Sequence, residues 1–405
     1  MNATELYASF DHTMHLSLPF LRQDLSPWGI RSEDPALVRQ LAKGQVAKRR
    51  GYVPVGRYHA GIDVDSRSLH DLYLPPFFQK EGALVMGKGL VKSEKKLGLD
   101  EYRKDEVSTQ TGSSFQGSFC LLQNEQSLLP WKGACVVKGS RSLAKAMEGN
   151  VWHPLMKDDG SLLIVVVKRR TPRWDDKRPW LTGNFPIWHK TLVILASEYA
   201  LETESWRKSV QGILSTFTNK PDWQTLAQVI RGEREPEARL PYSMPLDVDR
   251  HWTLKGKKLR LKDPDGTMSL PFVYGYRTNT TYPFCFGHGL SYTSFRYSDL
   301  VISNGHVSFR VTNTGSRKGT TVAQLYVQED QSSVWRPRRE LKAFEKVCLD
   351  VGESKTVSVP IKKDWYTYWQ GSEGLYREDG GLYSLLVGTS SRDIVLSGQL
   401  PAPRA

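Results

Sequence analysis

Six consecutive apolar residues, from Leu162 to Val167, restrict the possible folds of this chain more than any other part of its sequence. The run follows a turn-forming stretch, residues 158–160, and is rich in β-branched side chains, which is typical of a strand. A strand that is apolar on both faces needs packed layers on both sides of its sheet, as parallel sheets have. Residues 191–196 show the same pattern. We therefore predict an α/β domain with a largely parallel sheet.

A helical spacing of apolar residues follows these two runs. Positions i, i+4, i+7, i+8 and i+11 form one apolar stripe of a 3.6-residue period, and they are occupied by Trp206, Val210, Ile213, Leu214 and Phe217. This spacing predicts an amphipathic helix over 206–217. A second helix-like piece, residues 35–48, lies in the N-terminal part of the chain.

The C-terminal part of the chain changes to a period of two, in which apolar and polar residues alternate. This pattern predicts strands over residues 306–311, 321–327, 355–359 and 383–387. Turn-forming sequences lie between them, at residues 313–315, 350–352 and 378–381. Short strands separated by such turns predict a β-sandwich of about 100 residues.

These patterns divide the chain into four regions. Residues 1–114 have a mixed and interrupted pattern, and residues 115–245 hold the predicted α/β domain. Residues 246–297, rich in Pro, Gly and charge, are predicted to be a linker. Residues 298–405 are predicted to form the β-sandwich.

The composition excludes several classes of protein. The 405 residues include 12 Trp, 17 Tyr and 14 Phe, an aromatic content that a disordered chain does not carry. The net charge is +13, but the Lys and Arg clusters are dispersed and no nucleic-acid-reading motif accompanies them, so we expect no nucleic-acid partner. No apolar run approaches the roughly 18 to 20 residues that span a bilayer, so we expect no membrane partner.

The cysteines and the N-terminal residues lead to expectations about metal binding and localisation. The four cysteines form no Cys-x-x-Cys pair, which argues against a zinc ribbon, and Cys120 is expected to be a core thiol. No metal-binding or phosphate-binding motif is present, so we expect no metal and no cofactor. The first residues resemble no secretory signal, so the sequence as written favours the cytoplasm, whereas a truncated N-terminus would fit a secreted protein.

Residues 282–295 read YPFCFGHGLSYTSF. This string resembles a signature of glycoside hydrolase family 3, which in that family precedes a fibronectin type III-like domain. Residues 336–357 are similar to the usual sequence of that domain, and residues 121–130 and 232–241 resemble the opening and closing sequences of the family's α/β sandwich. The resemblance implies a member of this family, of the β-xylosidase or β-glucosidase type, whose C-terminal domain is the predicted sandwich.

The N-terminal region resembles pieces of the family's (β/α)8 barrel. Residues 32–35 and 71–77 are similar to two of its sequences. A closed barrel of this type normally takes about 200 residues or more, so the resemblance implies an incomplete barrel remnant over residues 1–114.

The family's catalytic motifs are altered in this chain. A retaining member uses an aspartate nucleophile in a Ser-Asp-Trp motif and a glutamate as acid/base, but no Ser-Asp-Trp occurs here. The sequence passes from residues 84–86, which resemble the strand before the nucleophile, to residues 90–99, which resemble the helix after it, so the nucleophile segment is missing. The acid/base loop lacks glutamate, and its nearest carboxylates are Asp175 and Asp176.

The remaining candidate site residues also come from the resemblance. Asp175 and Asp176 are acid/base candidates, and the alternative is that they form exposed ion pairs with the basic residues that follow them. Arg57 and Tyr58 stand where the family has a sugar-binding Lys and His. Arg57 keeps a charge that can donate to sugar hydroxyls, whereas Tyr58 changes the geometry of the site.

Two hypotheses for function follow from the resemblance. The first is a retaining, exo-acting β-glycosidase that cleaves terminal β-linked glucose or xylose, impaired because its nucleophile segment is missing. The second is a non-catalytic relic of the family that binds sugar or a protein partner. A third and plainer alternative is an eroded gene product with exposed apolar surface. The oligomeric state stays open.

Overall fold

We describe the chain from a computed structural model. It describes residues 34, 78–80, 83–84, 118–169, 187–197, 201, 203–244, 261–262, 268–269, 281–334, 336–370 and 375–400. In the N-terminal region, β1 (Phe78–Lys80) and β2 (Ala83–Leu84) pair antiparallel. The predicted helix over 35–48, most of the barrel remnant, and the candidates Arg57, Tyr58, Asp175 and Asp176 lie outside the described residues.

The first large unit is a six-stranded mixed sheet in the order β3-β8-β7-β6-β4-β5. Its strands are β3 (Cys120–Asn124), β4 (Cys135–Lys138), β5 (Asn150–Val151), β6 (Leu162–Arg169), β7 (Thr191–Ser197) and β8 (Gly212–Ser215). β4 to β8 run parallel, and β3 pairs antiparallel with β8 at one edge. The prediction of a largely parallel sheet is confirmed.

Two helices pack on one face of this sheet and bury its main core. α1 (Arg141–Ala146) begins at Ser140, whose hydroxyl accepts from the Leu143 N–H at 3.2 Å. α2 (Trp223–Arg231) begins at Asp222, which accepts from the N–H of Gln224 at 3.0 Å, and it ends at Gly232. These are ordinary capping interactions, and they fix the residue at which each helix begins.

The helix predicted over 206–217 is wrong. Arg207–Ser209 is a single 3-10 turn, and the following residues form β8 in the middle of the sheet. Both Ile213 and Leu214 are fully buried, one on each face of β8. A strand buried on both faces has no alternation, so its apolar residues matched a helical stripe by coincidence.

Two short strands follow, β9 (Leu261–Lys262) and β10 (Met268–Ser269), and then the second large unit. Its first sheet has the order β11-β12-β15, formed by β11 (Phe295–Ser303), β12 (His306–Asn313) and β15 (Ser354–Pro360). Its second sheet has the order β14-β13-β18-β19, formed by β13 (Gly319–Glu329), β14 (Glu340–Leu349), β18 (Tyr383–Gly388) and β19 (Ile394–Leu400).

The inner faces of these two sheets share one core, which includes Phe309, Leu325 and Trp365. A hairpin of β16 (Thr367–Gln370) and β17 (Leu375–Glu378) stands beside them. All pairings in this unit are antiparallel, and its strands include the four that the period of two predicted. The prediction of a β-sandwich is confirmed.

Residues 281–294, which we call the junction segment, connect to both units. Leu290 forms a β-bridge with Leu121 of β3, and its N–H donates to the Leu121 carbonyl at 2.8 Å. Gln324 of β13 donates to the Gly287 carbonyl at 3.0 Å. Gly287 has a φ of +79°, and a Cβ there would lie 1.9 Å from Oε1 of Gln324, so glycine is required.

Candidate functional site

The order of the parallel strands locates a candidate ligand site. From β4 the chain crosses to β5 on one side, whereas β6, β7 and β8 follow one another on the other side. The direction of the crossovers therefore reverses between β4 and β6. In open α/β sheets, ligands bind in the crevice outside the carboxyl ends of the two strands at such a reversal. We call the carboxyl ends of β4 and β6, with the residues around them, the candidate site.

On one side of the candidate site, a lysine lies over a tryptophan ring. Nζ of Lys138, the last residue of β4, is 3.9 Å from the centre of the Trp152 ring, a cation–π distance. Burial lowers the pKa of Lys138. Nε1 of Trp152 is buried and has no hydrogen-bond partner. An indole N–H in this state is a donor that a ligand hydroxyl can satisfy.

The backbone beside this pair is closely packed. Gly139, directly after β4, has a φ of +91°, and a Cβ at this position would lie 2.4 Å from the Val166 carbonyl oxygen of β6. Only glycine fits here, so the chain leaves β4 tightly against β6 before α1 begins.

A second lysine–tryptophan pair lies at the same end of the sheet. Nζ of Lys168, on β6, is 4.9 Å from the centre of the Trp223 ring at the start of α2. The side chains of Val166 and Val137 belong to the α-helical face, whereas Val136 and Val165 belong to the other face. Because side chains alternate along a strand, Lys168 and Lys138 point to opposite faces of the sheet.

The described carboxylate at this end is Asp222, which follows β8. Its oxygens accept from the Thr225 hydroxyl at 2.6 Å and from the Gln224 N–H at 3.0 Å. These hydrogen bonds lower the pKa of Asp222, so it stays ionised at neutral pH and caps α2. A group of this kind does not supply the proton that a general acid must give.

The described residues do not test the sequence-predicted catalytic candidates. Asp175 and Asp176 follow β6 in the chain but lie outside the described residues, as do Arg57 and Tyr58. Across the part of the chain that the structure describes, no cluster of three or more His, Cys, Asp or Glu residues has metal-binding geometry. In that same part, no helix is long and apolar enough to cross a membrane.

Sequence reasoning missed both lysine–tryptophan pairs. Lys138 and Trp152 are 14 residues apart, and each looks like an ordinary residue at the end of a strand. A usable signal did exist, because two parallel neighbours such as β4 and β5 bring their carboxyl ends together. Recognising it requires the pairing of a two-residue strand, which no sequence pattern announced.

The signature residues of the junction segment have a different role from the candidate site. The Glu235 carboxylate accepts from the Ser291 hydroxyl at 2.7 Å and from the Tyr292 N–H at 3.2 Å, and it pairs with Arg317 at 3.5 Å. The Tyr292 hydroxyl donates to the Val229 carbonyl at 2.7 Å. These contacts join α2 and the chain after it to the β-sandwich.

The histidine of the signature is also a structural residue. Nε2 of His288 lies 2.8 Å from the Leu122 carbonyl, and its ring stacks on Phe284. Burial lowers the pKa of His288, so the ring is neutral and Nε2 donates to the carbonyl. The expectation for Cys120 is confirmed, since it is fully buried beside His288 and burial raises its pKa to about 12.

Comparison with known proteins finds relatives that are similar to about half of this chain. A model of the fibronectin type III-like domain matches residues 321–391. The chain is 32% identical over 228 residues to the probable beta-glucosidase H of Emericella nidulans, covering 52% of this chain and 27% of that protein. It is 35% identical over 204 residues to the thermostable beta-glucosidase B of Acetivibrio thermocellus, covering 47% of this chain and 27% of that protein.

A third relative carries a different activity in its name. The exo-alpha-(1->6)-L-arabinopyranosidase of Bifidobacterium breve is 33% identical over 218 residues, which are 50% of this chain and 28% of that protein. The chain thus spans about a quarter of the length of these curated relatives.

Solved structures show the same fold. The GH3 beta-glucosidase of Bifidobacterium adolescentis matches with a TM-score of 0.57 at 21% identity, over 77% of this chain and 56% of that one. The beta-glucosidase 3B of Thermotoga neapolitana, solved with alpha-D-glucose, matches with a TM-score of 0.55 at 24% identity, over 70% of this chain and 52% of that one.

The fold and the junction define a class of protein. The chain is a multidomain protein in which an α/β sandwich is connected to a fibronectin type III-like sandwich, with the signature residues between them. Over about half of its length the chain is similar to beta-glucosidases, and its fold is that of a solved GH3 beta-glucosidase.

Proposed function

We propose that this chain binds a terminal β-linked glucose or xylose unit at the candidate site and that its hydrolysis of such glycosides is impaired. The observation that carries the proposal is Trp152, which offers a ring and an unpartnered indole N–H at the sheet reversal. Aromatic rings with a few polar groups beside them are typical of ligand pockets. The family's relatives, with beta-glucosidase and arabinopyranosidase names, support a carbohydrate as the ligand.

The impairment follows from the chemistry of retaining glycosidases. Two carboxyl groups about 5 to 5.5 Å apart must act together, one as the nucleophile and one as the acid. The chain has no Ser-Asp-Trp, so no nucleophile is assigned, and the covalent intermediate cannot form by the usual route. Asp175 and Asp176 are the remaining acid/base candidates, and either can donate a proton if burial raises its pKa.

Binding is tested by titrating the purified chain with methyl β-D-glucoside and methyl β-D-xyloside in a calorimeter. We expect Trp152→Phe, which keeps a ring but removes the N–H, to weaken binding about 2- to 10-fold, the effect of one hydrogen bond. Trp131→Phe is the matched control, because Nζ of Lys190 lies 5.0 Å from the Trp131 ring in another lysine–tryptophan pair, beside the start of β7. Equal losses in both variants, or no binding by the unmodified chain, would contradict the proposal.

Hydrolysis is tested separately with aryl β-D-glucoside and aryl β-D-xyloside. We expect turnover several orders of magnitude below that of an intact retaining enzyme measured alongside. Residual turnover that Asp175→Ala or Asp176→Ala abolishes would identify the acid/base. Sugar binding without any turnover would favour the second candidate, a non-catalytic sugar-binding protein. Turnover at the rate of the intact enzyme would contradict the impairment.

A further inference from the structure

A buried arginine lies between the junction segment and the fibronectin type III-like sandwich, away from the candidate site. Arg339, directly before β14, is 7% exposed, and its Nη1 donates to the Ser391 carbonyl. Ser391 is fully buried in the loop between β18 and β19, and its N–H donates to the Phe286 carbonyl at 3.0 Å. The arginine is thus held where the junction segment contacts the end of the sandwich.

The charge of Arg339 is not balanced. Within the described ranges, no carboxylate forms an ion pair with it. Arg336, three residues earlier, shows the contrast, because it pairs with Glu329 at 2.9 Å and with Glu340 at 3.0 Å. A buried charge without a counter-charge costs several kcal/mol, so it calls for an anion.

Other arginines surround this one. Burial lowers the pKa of Arg339, and the positive charges of Arg392 and Arg338 lower it further. The carboxylate of the same loop, Asp393, accepts from the Thr389 hydroxyl. Arg338 and Arg392 thus lie close enough to Arg339 to affect its guanidinium electrostatically.

Arg339 and Ser391 each have one buried polar atom without a hydrogen-bond partner. These atoms are Nε of Arg339 and the hydroxyl of Ser391. Both can donate, and each unsatisfied buried donor costs about 1–3 kcal/mol. A single acceptor that carries negative charge would satisfy the donors and the charge together. A planar guanidinium with a hydroxyl beside it is a common means of holding a phosphate or a sulfate.

We propose that Arg339 and Ser391 form a binding site for a small tetrahedral oxyanion of the phosphate or sulfate class. The buried Arg339 guanidinium supplies the positive charge of this site, and the Ser391 hydroxyl supplies a second donor. Because Ser391 also holds the Phe286 backbone, a bound oxyanion stabilises the contact between the junction segment and the sandwich.

The test is calorimetric titration and thermal unfolding of the full chain with inorganic phosphate and with sulfate, at an ionic strength kept constant with chloride. We expect saturable binding of at least one of the two anions and a rise in Tm that chloride alone does not give. Ser391→Ala keeps the carbonyl that accepts from Arg339 but removes the hydroxyl donor. It should weaken binding about tenfold, since hydrogen bonds to charged groups are strong.

Arg339→Lys is the second variant, because it keeps the charge but loses Nε and the planar fork, and it should also weaken binding about tenfold or more. Ser358→Ala and Arg310→Lys, at exposed positions of the same sandwich, are the matched controls and should bind as the unmodified chain does. The proposal is overturned if neither anion binds better than chloride, or if Ser391→Ala and Arg339→Lys bind as well as the controls.

Discussion

The α/β sandwich and the fibronectin type III-like sandwich bury different kinds of side chain. In β7 every residue is buried, and the residues from Leu192 to Ala196 are all apolar. The second sandwich, in contrast, encloses an ion pair, since the side chains of Arg336 and Glu329 are 7% and 2% exposed. The β7 core includes no ionisable side chain, so its contribution to stability should respond little to pH, whereas the core of the second unit encloses a carboxyl group that titrates.

The largest expected effect is the loss of stability when a buried side chain of β7 is truncated. Ile194→Ala in β7 removes a fully buried side chain and should lower the free energy of unfolding by about 2–5 kcal/mol. The loss should be the same at pH 5 and pH 8. Denaturant unfolding measures this loss of free energy. Val351→Ala, at an exposed position, is the control. If the loss of unfolding free energy depended strongly on pH, the proposed difference between the two units would be wrong.

The next prediction concerns the junction between the two units. Glu235→Gln removes the charge that pairs with Arg317, although a polar group remains for Ser291. We expect a loss of about 2–3 kcal/mol in the free energy of unfolding, because partly buried partners lose their counter-charge. Glu237→Gln is the matched control, because Glu237 and its partner Lys346 are both about half exposed, so the loss should be below about 1 kcal/mol. Equal losses in the two variants would argue against a buried junction.

The smallest expected effect is the pH response of the second sandwich. Burial raises the pKa of Glu329 from 4.5 to about 7, Asp379 adds to this shift, and Arg336 opposes it. Since the folded state holds the proton more tightly, this stabilisation is complete below pH 4.5 and is lost as the pH rises through about 7.

We expect this carboxyl group to lower the unfolding free energy by about 1–2 kcal/mol between pH 5 and pH 8. Glu329→Gln should remove that part of the pH dependence, whereas Glu345→Gln, at an exposed site, should leave it unchanged. Unfolding curves at several pH values measure it, and a Glu329→Gln variant with the full slope would disprove the assignment.

The two sandwiches also differ in how far their sequences predict them. In the second, alternation predicted strands that the structure contains, because one covered face imposes a period of two. In the first, β6 and β7 were found from their length and apolar content, but β8 was mistaken for a helix because strands buried on both faces lack a period.

The candidate site was harder to predict than the fold. Family resemblance directed attention to Asp175, Asp176, Arg57 and Tyr58, all outside the described residues, so these remain predictions. The contacts that the structure adds, such as Lys138 over Trp152, join residues on different elements. Only the pairing of strands brings such residues together, and single-sequence patterns carry little information about pairing.

The bridge between Leu290 and Leu121 has a consequence for how the chain can be divided. β3 is the edge strand of its sheet, and the junction segment lies along the side that β8 leaves open. An edge with unpaired backbone groups invites pairing with another molecule and aggregation. The signature residues therefore act as a cover for that edge. A fragment of the α/β unit that ends before residue 281 should therefore self-associate. A fragment that extends through the junction segment should self-associate less at the same concentration.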